Sequence, residues 1–240
     1  MIAALLLLAL LPSALGETLR AYCDPDTPPP FVPEHAPAGD DYFSDAVFIG
    51  DSMMEYWEIY ELLPTASFVW QVGMSPMSVG RKQFRVAGSN EKISTYDQAA
   101  LYHPAKIYVW LGANGLDTKN SELVLEDYEK MADELIAHFP DALIYVISPP
   151  PMTWKRATQE KYPVAPRRYE NFEGMLRELA ARRNFYYIDA YHLVTGENGY
   201  MRGNCSIGDG FHLNRTALGM VTDYIRAHTA PYRKTEENPQ

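Results

Sequence analysis

The sequence predicts an α/β domain, a five-stranded parallel sheet with helices on both faces. Three observations lead there. Short apolar runs rich in β-branched residues alternate five times with longer segments of helical periodicity, and such alternation makes a parallel sheet with right-handed crossovers. At 240 residues the chain suits one such domain, long enough to bury a sizeable core without metals or staples. Its 47% hydrophobic and 22% charged content is that of a globular chain.

Val47 to Ile49 reads as the first strand and closes on the turn Gly50-Asp51, which leads into a breaker-free helix from Met53 to Glu61. Ser52 stands at that strand-to-helix turn. Ser67 to Val72 is the second strand and ends at Gly73; Met74 to Gly88 is loop-like, and Ile93 to Tyr102 forms a helix that turns Ile93, Tyr96 and Ala100 to the core. Lys106 to Leu111 is the third strand, and Gly112-Ala113-Asn114-Gly115 turns away from its end. Ser121 caps the next helix, where Val124, Tyr128, Met131, Leu135 and Phe139 form one stripe as far as Pro140. Ala142 to Ile147 is the fourth strand. The loop from Pro149 to Pro166 is longer than ordinary strand-to-helix connections. Pro166 opens a helix to Arg183, Phe185 to Ile188 is the fifth strand, and an irregular stretch from Asp189 to Leu213 leads to a last helix, Arg215 to His228, capped by Asn214.

The termini read differently. Ile2 to Leu11 is an apolar run too short to span a bilayer, and Ala14-Leu15-Gly16 follows it. Residues 1–16 are therefore expected to be a signal peptide, and the protein to be secreted or held in the cell envelope, with no stable membrane insertion after cleavage. Residues 17–41, with six prolines between Asp24 and Asp41, form an arm; residues 42–230 form the folded domain and residues 231–240 a disordered tail. Only Cys23 and Cys205 are present. In an exported chain an even count permits one disulfide, and two separate thiols remain the alternative. The net charge of -10 and the lack of a Lys/Arg-rich run exclude a nucleic-acid partner. One local cationic cluster, Lys155, Arg156, Lys161, Arg167 and Arg168, stands against that background.

Acyl chemistry at an ester needs a nucleophile, a base, an acid that orients the base, and donors for the oxyanion. Ser52 supplies the first. Asp209-Gly210-Phe211-His212 supplies acid and base, since a three-residue offset in a tight loop brings a carboxylate beside the imidazole. The amides of Ser52 and Gly73 and the side chain of Asn114 are the expected oxyanion donors, and all three follow strands on one sheet edge. Asp189-Ala190-Tyr191-His192 repeats the Asp-x-x-His offset. Asp209 and His212 are preferred because their loop runs directly into the capped last helix, whereas Tyr191 and Leu193 flank His192 with apolar bulk. His35, His103, His138 and His228 show no metal-ligand spacing, so no metal or cofactor is expected.

Gly50-Asp51-Ser52, Gly73, Gly112-Ala113-Asn114 and Asp209-Gly210-Phe211-His212-Leu213-Asn214, in this order, resemble the blocks of the SGNH (GDSL) hydrolase family. The resemblance implies a flavodoxin-like α/β/α sandwich and metal-independent ester hydrolysis, with Ser52, His212, Asp209, Gly73 and Asn114 in the roles above. Three positions depart from the family pattern: Met53 where leucine is usual, Gln71 where an asparagine often precedes the second-block glycine, and Gly115 where an aspartate often follows the asparagine. For the substrate, the expectation is an O-acyl ester on a small molecule or glycan, with O-acetyl groups on carbohydrates favoured. Lysophospholipase or thioesterase activity, polysaccharide O-acetyl transfer and non-catalytic glycan binding are the alternatives. Met53, Met54, Met74 and Met77 flank the catalytic turns and are candidate acyl-pocket residues. Trp154, with Lys155 and Arg156 beside it, is a candidate for a sugar face or an anionic group.

Overall fold

A computed structural model describes residues 28–159 and 164–231. The five expected strands are present and all run parallel: β1 (Ala46–Gly50), β2 (Ser67–Trp70), then, after the hairpin β3 (Gln83–Arg85) and β4 (Lys92–Ser94), β5 (Lys106–Trp110), β6 (Leu143–Ile147) and β7 (Tyr186–Ile188). The sheet order is β2-β1-β5-β6-β7, the doubly wound order with its switch point between β1 and β5. The helices are α1 (Ser52–Tyr60), α2 (Thr95–Ala100), α3 (Ala113–Leu116), α4 (Ser121–His138), α5 (Trp154–Gln159), α6 (Pro166–Arg183), α7 (Ala190–Val194) and α8 (Arg215–Ala227).

Alternation along the buried strands divides the core in two. Val47, Ile49, Ile107, Val109, Ile144 and Val146 face Tyr128 of α4 and Phe172 of α6, while Phe48, Tyr108, Trp110 and Tyr145 face Trp57 of α1 and Leu218 and Val221 of α8. The second face carries an aromatic ladder. Phe68, Phe48, Tyr108, Tyr145 and Tyr186 contribute one ring from each of the five strands, with successive centroids 5.4, 4.4, 4.2 and 5.0 Å apart. The in-register pairing of these residues puts the rings side by side.

Several boundaries differ from the sequence reading. The second strand stops at Trp70, leaving Val72 68% exposed on the turn that follows. The stretch read as loop after Met74 holds a 3-10 turn at Val79–Arg81 and β3, and Ile93 pairs in β4. The helix begins only at Thr95 because the Ser94 hydroxyl accepts the Asp97 amide as its cap. Asn120, not Ser121, caps α4 by accepting the Leu123 amide, and the Ser121 hydroxyl instead donates to the Arg168 carbonyl. The long loop after β6 contains α5, and α7 follows β7 directly.

The arm lies on the domain from residue 28 onward. The Tyr187 amide on edge strand β7 donates to the Pro30 carbonyl at 2.7 Å, and the amides of His35 and Ala38 donate to carbonyls at the end of α8. Covering an edge in this way removes a template for strand addition. Residues 1–16 and Cys23 lie outside the described residues, as do Lys161 and residues 232–240. Among the described residues no helix is long and apolar enough to cross a membrane.

Candidate active site

The switch point places the two central turns of the site. Ser52 follows β1 and Asn114 follows β5, neighbours across the crevice at the carboxyl ends of the strands. Asp51 makes the turn after β1 and caps α1, its Oδ1 accepting the Met53 amide at 3.0 Å. Ser52 is thereby the first residue of α1, and its Oγ lies 2.8 Å from His212 Nε2.

The loop before α8 holds the other partners. Asp209 Oδ2 lies 2.6 Å from His212 Nδ1, while Oδ1 accepts the amides of Phe211 (2.9 Å) and His212 (3.0 Å). Burial alone would raise the Asp209 pKa, yet the bonds from the His212 ring and these amides outweigh it and hold the carboxylate below its ordinary range. An ionised Asp209 only accepts, so Nδ1 carries the imidazole proton and Nε2 is left to accept from Ser52. Ser206 organises the loop: its Oγ accepts the amides of Gly208 and Gly210 and donates to Asp209 Oδ1 at 3.3 Å. Asn214 joins the loop to the helix, capping α8 at Ala217 and donating from Nδ2 to the carbonyls of Asn204 and Ser206.

On the other side of the serine, Gly73 is the third residue of a turn closed by the Met74 amide on the Gln71 carbonyl. Its φ of +69° is the conformation that favours glycine there, and a Cβ would meet nothing within 4 Å. The conformation, not crowding, therefore calls for glycine. Asn114 Nδ2 donates to Asp51 Oδ2 at 2.7 Å and to the Met74 carbonyl at 3.3 Å. Asp51 is buried, 1% exposed. Desolvation raises its pKa to about 6, against the lowering effects of the Met53 amide, His212 and Asn114.

Asp51 and Ser206 are thus parts of the site to which residue-level reading gave no task. The first stands in the Gly50-Asp51-Ser52 turn, and its bond from Asn114 forms only once β1 and β5 pair. The second lies two residues before Gly208, the offset at which a serine side chain closes a turn on a backbone amide.

The second Asp-x-x-His pair forms the same local bond, His192 Nδ1 lying 2.8 Å from Asp189 Oδ2. It follows β7, three strands from β1, so roughly 14 Å of sheet separates the two turns at about 4.8 Å per strand. There it shares a cluster with Glu173, which accepts from the Tyr187 hydroxyl at 2.8 Å and pairs with Arg177 at 3.5 Å. Met53 and Met74, expected at an acyl pocket, are buried at 2% and 0% exposure and pack into the two cores. Trp154 is 61% exposed. Cys205 is buried, and its proposed partner Cys23 is outside the described residues.

A parallel sheet with a Ser-His-Asp relay at its switch point defines an α/β serine hydrolase that acts on ester bonds. The model of the GDSL-like Lipase/Acylhydrolase family matches residues 48–217, and the chain belongs to that family. Its structure is similar to a GDSL-like lipase from Bacteroides thetaiotaomicron, with TM-score 0.60 and 13% identity over 80% of this chain and 89% of that one. It is also similar to a member of the lipolytic protein G-D-S-L family from Veillonella parvula (TM-score 0.54, 13% identity, 75% and 94% covered). A third likeness is to a carbohydrate acetylesterase family member from Sinorhizobium meliloti (TM-score 0.50, 14% identity, 76% and 95% covered). Comparison with curated protein sequences gave no match.

Proposed function

We propose that the protein is an exported esterase that removes O-acetyl groups from carbohydrates, with Ser52 as nucleophile, His212 as base and Asp209 as its orienting acid. One observation carries the mechanism, the unbroken relay from Ser52 Oγ through the His212 ring to Asp209, with links of 2.8 and 2.6 Å. Ser52 Oγ attacks the ester carbonyl while Nε2 takes its proton. The imidazolium then returns that proton to the leaving alcohol, and a water activated by the same nitrogen cleaves the acyl-enzyme.

The oxyanion meets the amides of Ser52 and Gly73 and the side-chain amide of Asn114. Of the two bonds that Asn114 donates, the 3.3 Å one to the Met74 carbonyl is the weaker and yields to the oxyanion, while Asp51 keeps the other. Export is supported by the signal-like residues 1–16. A carbohydrate ester is supported by the exposed Trp154 beside the acid-base loop, and the name of the Sinorhizobium meliloti structure points the same way.

A panel of nitrophenyl esters of graded chain length, run beside acetylated xylan and a lysophospholipid, tests the substrate. Activity should fall steeply beyond about four acyl carbons, since a small pocket excludes long chains. A higher kcat/KM on decanoyl than on acetyl esters would reject deacetylation in favour of a lipid hydrolase, and preferential acetyl transfer to an added sugar would make the enzyme a transferase.

A further inference from the structure

A groove runs beside the acid-base loop. Its inner section, about 330 Å³, is walled by Lys155, Arg156 and Asp209, and its outer section, about 650 Å³, runs past Lys155 to Trp154 and Arg202. The inner section lies against the catalytic loop itself. The Thr153 amide donates to the Gly210 carbonyl at 2.9 Å, and a Cβ on Gly210 would lie 2.4 Å from Thr153 Oγ1 and 2.6 Å from Arg156 Cβ. Only glycine lets α5 approach the Asp209 turn so closely. On the other flank the Met201 amide donates to the Met152 carbonyl, so the start of α5 is held from both sides.

The groove contrasts with the rest of the chain in charge. The protein carries a net -10, yet among the described residues Lys155, Arg156 and Arg202 line this groove together with two acids, Asp209 and Glu197. Both oxygens of Asp209 are already engaged by His212, Ser206 and backbone amides. A large exposed indole next to cationic side chains suits a sugar ring that bears negative charge, the ring stacking on Trp154 while the cations take the anion. The two acids and the overall charge favour a singly charged carboxylate over a dianionic phosphate.

We propose that this groove binds the alcohol portion of the substrate, and that this portion is a uronic-acid saccharide. The proposal rests on the carbohydrate-esterase reading and narrows it to acidic glycans. Its test has a turnover arm and a binding arm. The wild-type enzyme is assayed on O-acetylated oligogalacturonides and O-acetylated xylo-oligosaccharides, and binding of unacetylated oligogalacturonide to Ser52→Ala is followed by calorimetry.

At about 20 mM salt the acidic substrate should be preferred by at least about 10-fold in kcat/KM, and the preference should shrink at about 0.5 M salt as screening sets in. Lys155→Glu with Arg156→Glu should lower that preference by about 10-fold. Should the double variant fail to fold, the wild-type salt dependence still decides. Binding to Ser52→Ala without turnover of either glycan by the wild type would retain the groove and reject the esterase reading. Equal turnover of both glycans at low salt, with no binding to Ser52→Ala, would overturn the groove and leave the esterase reading standing.

Discussion

Replacing Asp51 by asparagine tests the buried carboxylate that links the serine turn to Asn114. In the folded protein desolvation lifts the Asp51 pKa from an ordinary 3.8 to about 6. A folded-state pKa above the unfolded one means that the folded form holds the proton more tightly. The corresponding stability is complete below pH 3.8 and is lost as pH rises through about 6. At about 1.4 kcal/mol per pH unit the loss across that window is about 3 kcal/mol.

The substitution has a second effect, independent of pH. Asparagine can keep the Met53 cap through Oδ1, but its amide then faces the donor Nδ2 of Asn114, which costs about 1–3 kcal/mol for an unmade buried bond. The assay is therefore a double difference: urea unfolding of wild type and Asp51→Asn at pH 4 and pH 7. Titrations elsewhere, such as those of Asp209 and Glu129, whose lowered pKa values act in the opposite direction, cancel between the two proteins. Because the unfolded-state carboxyl is already more than half ionised at pH 4, the variant should lose about 2 kcal/mol less than wild type between pH 4 and pH 7. A double difference under about 1 kcal/mol would refute the assignment of a raised pKa to Asp51.

Asn114→Ala should lower kcat by roughly 100-fold with little change in KM, as a donor used mainly in the transition state would; an effect confined to KM, seen in steady-state kinetics, would make it a binding residue instead. His212→Ala should cost at least about 1000-fold in kcat and His192→Ala less than about 10-fold, since His192 sits three strands from the serine. The reverse ranking in folded protein would move the base to Asp189 and His192. Ser206→Ala, which frees the Gly208 and Gly210 amides, should reduce kcat by about 10-fold while nitrophenyl acetate KM stays within about 3-fold, because it alters the placement of Asp209 rather than the contacts to substrate.

The elements legible in the sequence are those written in short-range patterns. The buried strands are short apolar runs, and Ser52 and Asn114 sit in the Gly-bearing turns after two of them, while Asp209 and His212 sit just before the Asn214 cap of the last helix, so the sheet and these positions could be read together. What escaped depends on contacts distant in sequence. The three-residue strands of the 83–94 hairpin are too short to show alternation, and Ser121 looked like a cap until Asn120 was seen to reach the Leu123 amide. Met53 and Met74 flank the catalytic turns in sequence, but side-chain direction at those turns sends both into the core. The link from Asp51 to Asn114 spans 63 residues and is created only when β1 and β5 pair.

The aromatic ladder makes the sheet an optical instrument. Five rings in van der Waals proximity, with Trp57 5.4 Å from Phe48 and 4.9 Å from Trp110, form a coupled array of chromophores held in one chiral arrangement. Near-ultraviolet circular dichroism therefore reports on this face as a unit, because the signal depends on the mutual orientation of rings from all five strands. Far-ultraviolet signal that outlasts it would mark a state in which the strands persist while the face has lost its fixed packing. The same spectrum distinguishes a variant that merely lacks a reacting group from one whose core has loosened.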